Sequence, residues 1–296
     1  MKKTLAWLIV LATLLTSCTS SPKTTDEKPL VLSTDVWIGA SLIYYAHSMG
    51  WLREANIELL QAQSIGENMQ LFESGASDIF TGTQHEYQRE RKLRPDLVPV
   101  LVYDRSYGGD VVMSNRSLEQ LRNSSGPIKV YLEADSVSEE ILAYLIRFEG
   151  LPEERIVVHN RTQEEMERIN GSGRIPPTII VTYNPHDLAL VKKGFVQIAS
   201  SKDNRYLVID AVYAPSRIVR NHKQQLQMLD QILKRSEQAY LQDSKEFYEK
   251  VKPYLGNPSY DEFLSMRKNI LWGRDMSTGK LQNELQKIDF PTEGLL

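Results

Sequence analysis

The chain has 296 residues, with 35 Lys and Arg against 38 Asp and Glu for a net charge of −3; without a basic cluster, that balance argues against a nucleic-acid partner. Hydrophobic residues make up 41%, an ordinary globular proportion, and the length suits one large domain or two smaller ones. A single cysteine excludes an intramolecular disulfide and a cysteine-based metal site, and the five scattered histidines offer no pair at metal-ligand spacing on one helix.

In chain order, Lys2 and Lys3 precede an apolar run at 5–15 that is too short for a permanent membrane span. Leu15, Thr16 and Ser17 then lead into Cys18, an apolar residue and two small ones before the only cysteine. This stretch resembles a bacterial lipoprotein cleavage box, which implies a signal peptide at 1–17 and acylation of Cys18. Once Lys2 and Lys3 leave with residues 1–17, the net charge of −3 becomes about −5. Each acyl methylene contributes about 0.8 kcal/mol of burial, so several chains hold a protein on a membrane surface without a spanning helix. Residues 18–29, small, polar and Pro-flanked, read as a flexible tether.

From Leu30, strand-like and helix-like segments alternate. Strands are expected at 30–36, 57–64, 76–83, 97–104, 127–135, 155–162 and 177–184, with helices at 41–56, 67–75, 85–94, 137–150 and 163–173. Such alternation predicts an α/β fold with mostly parallel sheets and helices on both faces. Beyond 206–219 the pattern turns helical, at 221–252, 259–272 and 279–288. Between the apolar runs at 101–103 and 111–113 lie Asp104, Ser106, Tyr107, Gly108, Gly109 and Asp110, an unusual concentration of acids and glycines for a plain connection.

Five segments, in order, resemble the type II periplasmic solute-binding proteins of the nitrate, sulfonate, taurine and thiamine-pyrimidine group. Residues 35–59 are similar to that family's opening strand and helix of small residues, and 72–92 to its helix ending in Ser-Gly followed by Asp, a strand and an acid-bearing helix. Residues 101–114 resemble its Asp-x-Ser-x-Gly-small-Asp junction, 181–195 its Tyr-Glu-Pro segment with Asn184 in place of Glu, and 207–219 its return crossing. The resemblance implies a two-lobed, periplasmic-binding-protein-like fold with two crossing strands and C-terminal helices. Lobe 1 is expected at 30–107 plus 214–296, and lobe 2 at 108–213 with the hinge crossings, at 104–110 and Val208 to Ala214.

The same resemblance places the ligand in the cleft, against Trp37, Thr83, Glu86, Ser106, Asp110, Tyr183, Asn184 and Asp210. Each residue also has an ordinary reading. Asp104 and Asp110 are good turn formers, Trp37 suits a core, and Thr83 suits a helix start. Glu86 fits a solvated helix face, and Asp210, an acid within an apolar run, needs a partner wherever it lies. Asn184 removes a charge that the family often carries, so the usual ligand chemistry does not transfer.

This wall is rich in acids and aromatics and poor in Arg and Lys. It points toward a small organic ligand bearing an amine or a heteroaromatic ring. The implied role is capture by lobe closure and delivery to an ABC permease. The alternative is a lipoprotein that presents the solute to a membrane sensor protein. An enzyme is a third class, because a eukaryotic branch of the family uses a cysteine-rich iron motif. This chain has no cysteine after Cys18, and neither a Ser-His-Asp order nor a phosphate-cradling glycine loop stands out. The expectation is a monomeric binding protein, without cofactor or metal, lipid-anchored in the periplasm or at the cell surface.

Overall fold

A computed structural model describes residues 28–203, 206–273, 278–292 and 295. The expected signal peptide, Cys18 and the tether up to residue 27 lie outside the described residues. Eleven strands are β1 (Leu30–Thr34), β2 (Ile57–Gln61), β3 (Ile79–Thr83), β4 (Leu97–Ser106), β5 (Asp110–Ser114), β6 (Ile128–Leu132), β7 (Ile156–Asn160), β8 (Thr178–Tyr183), β9 (Val196–Ser200), β10 (Val208–Pro215) and β11 (Ile270–Trp272). They form two sheets, a six-stranded one in the order β11-β4-β10-β3-β1-β2 and a five-stranded one in the order β7-β6-β8-β5-β9.

Both sheets are buried on two faces, which is why their strands read as near-continuous apolar runs. Along β10, Val212 and Ala214 enter one core with Leu32, Tyr44 and Phe247, while Ile209, Ala211 and Tyr213 enter another with Phe72, Phe80 and Tyr87. In the second sheet Val112 and Val181 pack toward the helix Val137–Glu149, and Val111, Met113 and Ile180 toward Leu190 and Phe195. This period-2 division between faces fixes register, because a one-residue slip would exchange the two cores.

The sheets are mixed, and not mostly parallel as the alternation predicted. β1 pairs in parallel with β2 and β3, and β6 with β7 and β8. The strands next to the crossings run antiparallel: β4 and β10 to one another, β10 to β3, and β5 to β8 and β9. The reason is topological, since the chain leaves the first sheet, completes the second and returns. It crosses through 107–109 and returns between β9 and β10. β10 pairs on both sides within the first sheet, so the segment expected as the second crossing, Val208 to Ala214, is itself a strand of that sheet.

Three local expectations also change. The helix expected at 41–56 divides into Ser41–Ser48 and Trp51–Glu54, with Gly50 at φ 78° between them. The tract at 259–272 is a helix only over Tyr260–Arg267; Ile270–Trp272 adds an edge strand to β4, with Trp272 fully buried. β9, unread in the sequence, is an edge strand whose Val196 is exposed. Among the described residues, no helix is long and apolar enough to cross a membrane.

The C-terminal helices form one wall of the first core. Phe247 is fully buried, stacked on Tyr45 at 4.5 Å and edge-on to Tyr240 at 5.4 Å. In urea denaturation, Phe247→Ala is expected to cost about 3–5 kcal/mol. The exposed Leu241→Ala on the neighbouring helix should stay within about 0.5 kcal/mol of the parent.

Candidate functional site

A cleft of about 1120 Å³ opens between the two sheets. Its wall includes Val36, just past β1, and Gln61 at the end of β2, facing Glu133, just past β6, and Asn160 at the end of β7. Tyr254 closes one side from the C-terminal region. The cleft thus lies at the carboxyl ends of the parallel strands, where open α/β sheets bind ligands.

Beneath this cleft the first sheet carries a row of polar residues. Thr83 on β3, Asp210 on β10, Asp104 on β4 and Trp272 on β11 stand abreast as cross-strand partners. Trp37, just past β1, reaches into the row, and its Nε1 donates to Asp104 Oδ2 at 3.0 Å. Gly39 and Gly109 make this possible, since a Cβ on either would overlap the Trp37 ring, and at Gly39 also Asp104. The far edge of Trp37 meets Tyr183 on β8, ring centroids 6.0 Å apart.

The two crossings are tied together just beside the row. Ser106 Oγ and Ser201 Oγ are 2.6 Å apart. Ser201 Oγ accepts from the Gly108 amide at 2.8 Å, and Ser106 Oγ accepts from the Asp110 amide at 3.0 Å. Gly108 sits at φ 118°, a conformation natural to glycine. Asn184 stitches the second sheet on: its amide donates to Gly109 O at 2.9 Å, its carbonyl accepts from Ile38 N at 3.4 Å, and its Oδ1 accepts from Asn269 Nδ2 at 3.0 Å.

Two helix N-termini face the junction, and a buried carboxylate of the chain lies at each, bonded to the amides in one case. Glu86 Oε1 accepts from Val137 N at 2.8 Å, at the start of the helix Val137–Glu149 in the second sheet's layer. Its Oε2 accepts from the Thr83 amide at 2.9 Å and from the Thr83 hydroxyl, completing a capping box on the helix Gln84–Leu93. Glu133, from the second sheet, lies beside the start of the helix Ile65–Glu73, and its Oε2 accepts from Gln163 Nε2 at 2.7 Å and from the Tyr183 hydroxyl at 3.4 Å. Carboxylates at these positions complement the helix dipoles.

The eight residues named from sequence therefore converge, with different local duties. Trp37, Ser106, Asp110, Asn184 and Asp210 meet at the junction; Tyr183 bridges to it, accepting from Ile65 N and donating to Glu133 Oε2, both at 3.4 Å. Thr83 is a helix cap, and Glu86, fully buried instead of solvated, has both oxygens engaged. None of the eight forms the outer wall of the cleft; they lie below it. Sequence reasoning left out Asp35, Glu133 and Ser201. Asp35 and Glu133 shared one legible signal, an acid directly after a parallel strand; Ser201 showed none before its pairing with Ser106 was visible.

Burial governs the electrostatics. It raises Asp35 to about 8, helped by the charges of Glu133 and Glu86. Asp104 rises to about 7, burial outweighing the Trp37 hydrogen bond, and Asp110 to about 7 against the Ser106 hydrogen bond. Asp210 rises well above the carboxylate range, through burial and then the charges of Asp104, Asp110 and Asp35. Two carboxyls abreast on adjacent strands cannot both ionise cheaply, so Asp210 holds the proton beside Asp104. Asp104 Oδ1, Asp110 Oδ2 and Asp210 Oδ2 are buried without a fixed donor.

No protein-family profile matches the sequence, and no curated protein matches it at a significant level. Solved structures do match in shape. The zinc-bound ligand-binding component of an ABC-type import system from Staphylococcus aureus superimposes with TM-score 0.68 at 15% identity, covering 89% of this chain and 91% of that one. The periplasmic aliphatic sulphonate-binding protein of Escherichia coli gives 0.68 at 14% identity, over 89% and 91%. The alkanesulfonate-binding protein of Xanthomonas axonopodis pv. citri, bound to MOPS, gives 0.68 at 11% identity, over 89% and 92%. The chain has a periplasmic-binding-protein fold. Within that fold, the junction just described sits where the chain passes between the two sheets.

Two outcomes test this site. Each raised carboxyl is neutral below its folded pKa and must ionise in place above it, so the associated stability is present at low pH and lost as pH rises. The melting temperature of the protein should fall between about pH 4 and pH 8, from the unfolded carboxylate range up through the folded values of Asp104, Asp110 and Asp35, and Asp210→Asn should flatten that fall. In the second test, urea denaturation of Glu86→Ala, which strips Val137 N and the Thr83 amide of their acceptor, should show a loss of about 2–4 kcal/mol. Glu86→Gln, which keeps an acceptor, should lose distinctly less.

Proposed function

We propose that this chain is the solute-binding component of an ABC import system, capturing a small organic molecule between its two lobes and delivering it to a membrane permease. The observation that carries this reading is the junction itself. Groups from both sheets (Trp37, Asp104, Asp110, Tyr183 and Asp210) meet under a cleft at the carboxyl ends of the parallel strands. A ligand touching all of them makes its full set of contacts only when the lobes are together. Closure is then driven by differential affinity, and about 5.5 kcal/mol of preference moves a two-state equilibrium from mostly open to mostly closed.

On this reading the eight residues named from sequence serve the ligand in two ways. Trp37, Ser106, Asp110, Tyr183 and Asp210 face it, while Thr83, Glu86 and Asn184 hold the lobes in register around it. The lobes of this reading meet at the connection between β4 and β5 and at the return from β9 to β10. The role is binding without chemical conversion, by a monomer, because the permease needs an intact solute. Residues 1–17 act as a lipoprotein signal, and acylated Cys18 tethers the protein at the membrane, in the periplasm or at the cell surface. The short tether keeps it close to its permease.

The test is a thermal-shift and small-angle scattering screen against small metabolites of every charge class. A ligand at one hundred times its Kd should stabilise the protein by about 2.7 kcal/mol. That corresponds to a rise in melting temperature of about 5–10 °C, accompanied by a smaller or narrower distribution of particle dimensions. Unchanged melting and scattering across the whole library contradicts the proposal.

A further inference from the structure

We infer that the buried junction beneath the cleft is a subsite for an organic cation: Asp110 and the Asp104–Asp210 pair take an ammonium group or a protonated ring nitrogen, and Trp37 with Tyr183 covers the flat apolar remainder. This deepens the solute-binding reading and rests on it.

The first argument is the donor deficit. Asp110 Oδ2, Asp104 Oδ1 and Asp210 Oδ2 lie in residues 5%, 0% and 6% exposed, and no hydrogen bond reaches any of these atoms. Native proteins rarely leave buried carboxylate oxygens without a partner. A proton shared between Asp104 and Asp210 accounts for two of them, and no described residue donates to Asp110 Oδ2. An ammonium group supplies several donors and the missing charge at once.

The second argument is the sign of the surroundings. Asp35, Glu86 and Glu133 are buried around the same junction. Arg267 acts on Asp104 from the rim, its guanidinium lying 3.7 Å from the centroid of the Trp272 ring. Arg105 is turned to Glu284 at 2.7 Å. Of the two helix N-termini at the junction, one is taken by Glu86 at Val137 and the other has the buried Glu133 beside it. An anionic solute would meet these buried carboxylates at close range, whereas a cation meets three carboxylate oxygens that no described residue donates to. Among the described residues no three His, Cys, Asp or Glu side chains are arranged to hold a metal ion, so the fitting cation is organic. The Trp37 and Tyr183 rings, edge to face, offer the aromatic surface that such cations favour.

Isothermal titration calorimetry of the full chain tests this with benzylamine, histamine and tyramine, benzyl alcohol as the neutral match, and methanesulfonate as the anion. At least one amine should bind, with benzyl alcohol and methanesulfonate at least about tenfold weaker. Asp110→Asn should weaken the bound amine about 30-fold or more while the variant melts no lower than the parent. Asp210→Asn is the second variant and should show a loss of the same direction, so the test survives a failure of either variant to fold. Preference for methanesulfonate, or an amine held equally well by both folded variants, overturns the subsite. Binding of only neutral or anionic members of the wider metabolite library overturns the subsite and leaves the solute-binding reading standing. Silence across that library removes both.

Discussion

Carboxylates buried away from water set the terms for this molecule. A charge in a low-dielectric interior must be neutralised by a proton, a fixed donor or a counter-charge. At the junction of the two sheets each solution is visible. Glu86 is satisfied by a helix N-terminus, Glu133 by the Gln163 amide, and Asp104 by the Trp37 indole, while burial pushes Asp210 toward its protonated form. Among the described residues no donor reaches Asp110 Oδ2. The sheets hold these side chains in fixed register.

The scaffold explains why the acids are there. β4 and β10 are central strands of the first sheet and also the strands that lead into and out of the crossings. A side chain at their ends is therefore rigidly placed, yet beside the segments that join the two sheets. The serine pair at 106 and 201 ties those segments together. Glu86 and Tyr183 add hydrogen bonds from one sheet's layer to the other's. On the proposed reading, hinge, ligand wall and lobe contact are built from the same short stretches of chain.

Much of this was legible in the sequence, for identifiable reasons. The alternation of apolar runs with amphipathic segments gave the α/β class, and Gly75 and Gly150 marked helix ends that the structure retains. Asp104, Gly108, Gly109 and Asp110 stood out because a plain connection does not need them. Other features depend on long-range partners. β11 is three residues long and exists because β4 has a free edge, so no local period announces it. The mixed strand directions follow from the two crossings and not from any single segment. Glu86 looked like a solvated helix acid because its partner, Val137 N, is 51 residues away. Asn184, in place of an expected Glu, is a hydrogen-bonding bridge between the second sheet, Ile38 and Asn269, a duty suited to an amide with both donor and acceptor.

The crystal structure of the protein with its tightest-binding small molecule tests the central claim most directly. The account predicts a cationic nitrogen about 2.7–2.9 Å from Asp110 Oδ2, with the ligand ring against Trp37 and both sheets in contact with it. A ligand seated instead on the outer wall of the cleft, or an anionic group at the start of the helix Ile65–Glu73 with Glu133 displaced, would contradict it.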